Sequence, residues 1–318
     1  MTGFELRPLD NVGVEVVGLD LTKPISTRTA EDLYAAWLEH AIMLFRKAGT
    51  SSDIHIRLSK VFGELEEHPI KSLHVENEKN LISLGGEGAR KGSPLMVDGE
   101  LRAGFIFFHQ DTTFTPNICK GSMLRMLQVP ERGGDTIWID TAKAYDALSS
   151  SLKERLEGHS SIQCFRPGLV DPLWGWPGHK VEAVPEEVGP PSSIELPHFP
   201  LVAHPFFITH PESGRKSLLI SPLNYIRIDG MDPAESDALY EEIASHVLRP
   251  DFSYRHKWSV NDMVLWDNRR TIHCALGYPY SQTRLVHRTT LLGGMQTGRY
   301  YDETREVVPS RFDRRRDG

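Results

Sequence analysis

Three places in the chain put a histidine two residues before a carboxylate: His74-Val-Glu76, His109-Gln-Asp111 and His210-Pro-Glu212. On a strand, residues i and i+2 point to one face with Cα atoms about 6.6 Å apart. An imidazole and a carboxylate so spaced can turn onto a single metal ion. With 14 histidines in the chain the pattern alone says little, and its neighbours decide. Pro211 interrupts the third match and Ser213-Gly214 follows it, which reads as a turn. His74 lies in a charged segment with no apolar run to hold it. Only His109 follows an aromatic and β-branched run, Phe105-Ile-Phe-Phe108, which predicts a strand that delivers it rigidly. A third ligand must come from a distant strand, and His273 in WDNRRTIHCA is the candidate. Two neutral imidazoles and one carboxylate on one face leave three coordination positions open. That set suits iron(II) binding an oxidisable co-substrate together with dioxygen.

A second constellation is Arg284-Leu-Val-His-Arg288-Thr-Thr. On a strand Arg284, Val286, Arg288 and Thr290 share a face. Two arginines on a core-facing strand need anionic partners, because unpaired buried charge is costly. A guanidinium meets a carboxylate with a planar fork of donors. The partner is either an organic acid or one of the chain's own 43 acidic residues.

These side chains need a rigid frame, and the composition provides for one. The chain has 318 residues, 39% hydrophobic and 25% charged, enough to bury a large core. Its 36 basic against 43 acidic residues give a net charge of −7, which argues against a nucleic-acid partner. No apolar run approaches the roughly 18–20 residues of a membrane span, and MTGFELRPLD lacks the charged-then-apolar pattern of a secretion signal. Cys119, Cys164 and Cys274 form no C-x-x-C pair and read as reduced thiols in a cytoplasmic protein.

Along the chain, VGVEVV alternates as a strand. Thr29 with Asp32 resembles a capping box opening a helix that runs through EDLYAAWLEHAIMLF, and a second helix spans about 51–63. Residues 77–104 read as a strand followed by a long loop. Strands follow at 122–129 and 136–139, then one amphipathic helix over 141–157 stopped by Gly158. The stretch 165–200 holds eight prolines, four glycines, Trp174 and Trp176; so long a segment without periodicity suggests a functional loop. Short strands, a helix at 233–248 and strands near 253–258, 263–267 and 284–292 complete the pattern. The expectation is mainly β structure with flanking helices, an antiparallel jelly roll or barrel. It would form one domain over 1–310, with a lid at 165–200 and a frayed charged tail at 311–318.

Taken together, FELRPLDNVGVEVVGLDLTKPIS, GELEEHP, FHQDTTF, GGDTIWIDTAKAYDALS, WDNRRTIH and RLVHRTTLLG resemble the taurine dioxygenase / 2,4-dichlorophenoxyacetate dioxygenase family over nearly the whole chain. The resemblance implies a double-stranded β-helix, a form of jelly roll. It also implies Fe(II) held by His109, Asp111 and His273, with 2-oxoglutarate and O2 as co-substrates. Arg284 and Thr136 would hold the far carboxylate of 2-oxoglutarate, while Arg288 and His68 would face an anionic primary substrate. The implied reaction releases succinate and carbon dioxide and oxidises a C–H bond of a small-to-medium organic acid. The outcome would be hydroxylation, cleavage at a heteroatom-bearing carbon, or desaturation. A homodimer or homotetramer is the implied assembly.

Departures from the family pattern matter. Gln110 stands between the ligands where many members have Thr or Ser, and its side chain should point away from the metal. Lys71 and Phe105 replace a tyrosine and an asparagine of the taurine enzyme, which argues against taurine as substrate. Lys71 adds a positive charge, and Phe105 with Trp174 and Trp176 suggests an apolar wall. Asp267 and Asn268 are expected to support the His273 segment, and Cys274 to face away from the metal. Two other readings stay open: a zinc-dependent hydrolase or lyase, since the same donors bind zinc, and a non-catalytic binding protein on the same scaffold.

Overall fold

Ile42-Met-Leu-Phe45 is apolar at every position because it is a strand covered on both faces, not the end of the first helix. The computed structural model describes residues 3–49, 51–67, 73–87, 91, 94–165, 180–182, 199–293 and 295–301. In it the first helix is Thr27–His40, capped by Ser26, whose side chain accepts the Thr29 N–H. The helix thus starts two residues before Thr29, and Ala41, at φ 64°, turns the chain into the strand. Periodicity could not separate these elements, because a run buried on both sides has no polar face to betray its period.

Two sheets carry the fold. The larger runs in the order Glu5–Pro8, Val14–Val17, Ile42–Phe45, Met263–Asp267, Gly121–Gln128, Leu285–Leu291, Glu78–Gly85, His74–Val75. The smaller runs Val181–Glu182, Leu95–Val97, Glu100–His109, Thr271–Pro279, Thr136–Asp140, Ser253–His256. Alternation sorts their side chains into layers. Ile42, Leu44, Leu124, Val264, Trp266 and Val286 from the larger sheet meet Trp138 and Tyr254 from the smaller in one buried cluster, so the sheets face each other. Met43, Phe45, Met263 and Leu265 point outward, against the helices Thr27–His40 and Ser52–Lys60. On the opposite outside, Ile137, Ile139, Ile272 and Cys274 pack against Leu239, Tyr240 and Ile243 of the helix Pro233–Val247. The result is the jelly roll with helices on both flanks.

Some expected boundaries move. The loop read into 77–104 contains the Leu95–Val97 strand and the start of Glu100–His109, joined by a turn at Asp98-Gly99 in left-handed backbone. The helix over 141–157 is two, Thr141–Asp146 and Ser150–Leu156, the second capped afresh by Ser149. Thr271–Pro279, which carries His273, is a nine-residue central strand missing from the strands inferred around it. Most of the expected lid (166–179 and 183–198, with Trp174 and Trp176) and the tail lie outside the described residues. None of the described helices is long and apolar enough to cross a membrane.

Candidate active site

His109 ends the Glu100–His109 strand, and His273 sits directly opposite it on the neighbouring antiparallel strand. The rings lie 4.1 Å apart, centroid to centroid. Asp111 follows His109, with Oδ1 3.6 Å from His109 Nε2. One ligand atom from each of His109, Asp111 and His273 falls within 4.8 Å of the others, which brings the His109 and Asp111 pair together with the candidate third ligand.

The surroundings prepare each donor. His109 Nδ1–H donates to the Phe107 carbonyl at 2.7 Å, which leaves Nε2 as the lone-pair nitrogen. His273 is buried against Trp266 and Trp138. Burial, then the neighbouring His109, pushes its pKa well below the ordinary histidine value, so the ring is neutral. Its Nδ1 is buried with no partner among the described residues. Around Asp111, burial opposes the charge, but the Arg288 guanidinium above all holds the carboxyl well below the usual carboxylate range. Two imidazoles and an ionised carboxylate, with the buried Nδ1 of His273 lacking a partner among the described residues, fit a divalent metal of the iron(II) type.

Asn268 braces this centre in a way sequence reasoning assigned wrongly. It supports Asp111 rather than His273. Its Oδ1 accepts the Asp111 N–H at 2.9 Å, and its Nδ2 donates to the carbonyls of Asp111 at 3.0 Å and Cys119 at 3.1 Å. Asp267 shapes the turn that presents Asn268, accepting the Arg269 N–H at 2.9 Å and pairing with Arg269 and His210. His210 is accordingly a turn residue, its Nδ1 accepting the N–H groups of Glu212 and Ser213. Gln110 points away from the ligands, as expected, and donates to the Asn268 carbonyl. Cys274 faces the outer cluster, also as expected.

A cavity of about 540 Å3 opens on His109 and Asp111. Arg288 lines it, donating from one nitrogen to Asp111 Oδ2 and to Ser122 Oγ, both at 2.8 Å. Glu66 stands on the same wall, its carboxyl pKa raised by burial against the pull of Arg288. Phe114, Phe165 and Phe199 form an aromatic wall, with centroids 4.7, 4.7 and 5.3 Å apart.

Phe105 is not part of that wall. Between His109↔His273 and Ile106↔Ala275 the pairing shifts by one residue, a bulge that turns Phe105 onto the outer cluster and Ile106 into the cavity. The family resemblance suggests Phe105 as part of an apolar substrate wall; the bulge removes it from that face. His68 and Lys71 lie outside the described residues. Glu66 and the three phenylalanines escaped the sequence reading; the available signals were Glu66 inside GELEEHP, Phe114 three residues past Asp111, and Phe165 and Phe199 bracketing the proline-rich stretch.

Arg284 and Thr136 stand elsewhere around the centre and line no part of this cavity. Arg284 precedes its strand and lies along Gly134, where a Cβ would come within 3.2 Å of Arg284 Cδ. Its Nε has no partner among the described residues, and burial pushes its pKa down to about 10. Thr136 is buried on the face that carries Trp138 and, on the paired strand, His273. A buried guanidinium nitrogen with no partner among the described residues costs free energy that a bound carboxylate would recover.

A family model described as taurine catabolism dioxygenase TauD, TfdA family, matches residues 5–290. The chain is 31% identical to an (S)-phenoxypropionate/alpha-ketoglutarate-dioxygenase of Sphingobium herbicidovorans, covering 91% of this chain and 95% of that one. It is 30% identical to an alkylsulfatase of Acinetobacter baylyi, covering 96% and 90%. The solved structure of a taurine dioxygenase from Burkholderia xenovorans superposes with a TM-score of 0.72 at 26% identity, covering 94% and 97%. The chain belongs to the TauD/TfdA dioxygenase family.

Proposed function

We propose that this iron(II)- and 2-oxoglutarate-dependent dioxygenase oxidises a C–H bond of a small-to-medium organic anion with an apolar body. The observation that carries the reading is a single cavity with His109 and Asp111 at one side, the Arg288 cation beside them and the Phe114, Phe165 and Phe199 rings along the wall. The names of the relatives point the same way: one acts on phenoxypropionate, and another is an alkylsulfatase.

Each residue has a distinct task in this reading. His109, Asp111 and His273 hold the metal on one face. Arg284 and Thr136, outside the substrate cavity, receive the far carboxylate of 2-oxoglutarate and so orient it. Arg288 keeps Asp111 ionised and anchors the substrate anion with its remaining donors. The aromatic wall holds the apolar body and keeps water from the reacting carbon. Bound iron with its co-substrates supplies the oxidising power, while the protein supplies position and a dry site. Zinc-dependent hydrolysis would leave the Arg284 and Thr136 pair without a task.

Anaerobic addition of iron(II) and 2-oxoglutarate tests the assignment. The expected result is a visible charge-transfer band that weakens strongly in Arg284→Ala, followed by substrate-stimulated succinate release with arylalkanoic acids or alkyl sulfates. A wild type without the band, or an undiminished band in Arg284→Ala, contradicts it.

A further inference from the structure

Thr136 is half-satisfied in a telling way. The Trp258 indole N–H donates to Thr136 Oγ1 at 3.0 Å. Indole nitrogen can only donate, so the threonine must accept here, and its own hydroxyl proton stays free. No acceptor for that proton appears among the described residues, although Thr136 is buried. The indole cannot easily swing away. It is buried, edge-on to Trp138 at 6.2 Å and to His256 at 4.6 Å.

The placement completes the argument. Thr136 pairs with Ala275 and Trp138 with His273, so Thr136 stands on the same sheet face as His273, about 6.6 Å further along the strand. Gly134, two residues earlier, lies against the Arg284 side chain, whose Nε also lacks a partner among the described residues. Two buried donors without acceptors among the described residues thus sit at one end of the Thr136–Asp140 strand.

We propose that Trp258 is a positioning residue for the co-substrate clamp: its N–H occupies the acceptor side of the Thr136 hydroxyl, so the hydroxyl proton is presented to the carboxylate that Arg284 binds. This rests on the 2-oxoglutarate reading above. Without the indole N–H, nothing fixes the hydroxyl rotor, its proton is no longer held toward the carboxylate, and part of that bond is lost.

The test is an anaerobic titration of the iron(II)-loaded enzyme with 2-oxoglutarate, read by the charge-transfer band. Trp258→Phe keeps the ring and removes the donor. Its dissociation constant for 2-oxoglutarate should rise about 5- to 10-fold, the scale of one hydrogen bond. Iron affinity and thermal midpoint should stay close to wild type. Thr136→Val should lose at least as much, Thr136→Ser should stay within about twofold, and adding Trp258→Phe to Thr136→Val should cost nothing further. Wild-type binding in Trp258→Phe, additive losses in the double variant, or an equal loss of iron affinity overturns the role of Trp258. A wild type with no band overturns the co-substrate reading itself, and this inference with it.

Discussion

Asn268 grips the peptide of Asp111 from both sides, accepting its N–H at 2.9 Å and donating to its carbonyl at 3.0 Å. The carboxylate is therefore aimed by a residue 157 positions away, on the turn that leads into the strand of His273. Supports of this kind change metal affinity by about 10- to 100-fold when removed. Asn268→Ala should weaken iron(II) binding by that factor, measured by anaerobic calorimetry. Asn268→Asp should not rescue it, because a carboxylate cannot donate to the carbonyls of Asp111 and Cys119 and brings a second negative charge beside the ligand. Iron affinity that stays at the wild-type level while the thermal midpoint falls would make Asn268 purely structural.

Arg288 serves Asp111 before it serves any substrate, since Oδ2 is its partner at 2.8 Å. Losing one member of such a buried pair costs about 2–5 kcal/mol. The pH dependence has a definite sign. Arg288 lowers the carboxyl pKa of Asp111, so its removal raises it, and protons then compete with the metal at higher pH. Arg288→Ala should lose iron affinity at a pH above that at which the wild type loses it, in titrations between pH 5 and 8. Arg288→Lys should recover part of the pH profile but little of the substrate binding, because one ammonium cannot replace a planar fork. An unshifted profile in Arg288→Ala would mean the pair is electrostatically idle.

The His109 and Asp111 half of the metal centre was legible because i,i+2 spacing after the strand marked by Phe105 to Phe108 brings both to one side, whereas His273 was legible through the WDNRRTIH motif that carries the family resemblance. What stayed hidden has physical causes. The bulge that exchanges Phe105 for Ile106 is a local register choice with no compositional mark. Ile42–Phe45 reads as helix because both its faces are covered. The aromatic wall joins Phe114 to Phe165 and Phe199 across long sequence separations, and no periodicity encodes that meeting. Asn268 was seen beside the right motif but assigned to the wrong ligand, because a turn side chain can reach either strand it joins.

The three phenylalanines set a prediction about selectivity. An aromatic side chain carries a large apolar contact, and a ring pair adds about 0.5–1.5 kcal/mol beyond area. Phe114→Ala should lower kcat/KM about 10- to 100-fold for an arylalkanoic acid. For a short aliphatic acid with the same anionic group the change should stay within a few-fold. Steady-state kinetics on the matched pair measures the ratio. A uniform fall across both substrates would place Phe114 outside substrate recognition and leave it a packing residue.

The loop bearing Phe114 depends on a buried histidine, which makes its stability pH-dependent. His204 Nε2–H donates to the carbonyls of Thr113 at 2.8 Å and Thr115 at 3.1 Å, and Nδ1 accepts the Thr297 hydroxyl at 2.9 Å. Burial pushes its pKa down to about 4 from 6.5, so the folded protein holds it neutral while the unfolded chain takes up a proton below 6.5. Stability from this group is complete above pH 6.5 and declines as pH falls towards 4, by about 3 kcal/mol in all at 1.36 kcal/mol per pKa unit. His55, pushed by burial to about 3, adds a loss of the same sign. Urea unfolding at pH 7.5, 6, 5 and 4.5 should show the wild type weakening steeply. His204→Gln, whose amide still donates to the loop but does not titrate, should start lower at pH 7.5 and lose less on acidification. If both proteins weaken in parallel, the acid sensitivity belongs to other groups and His204 holds the loop without sensing pH.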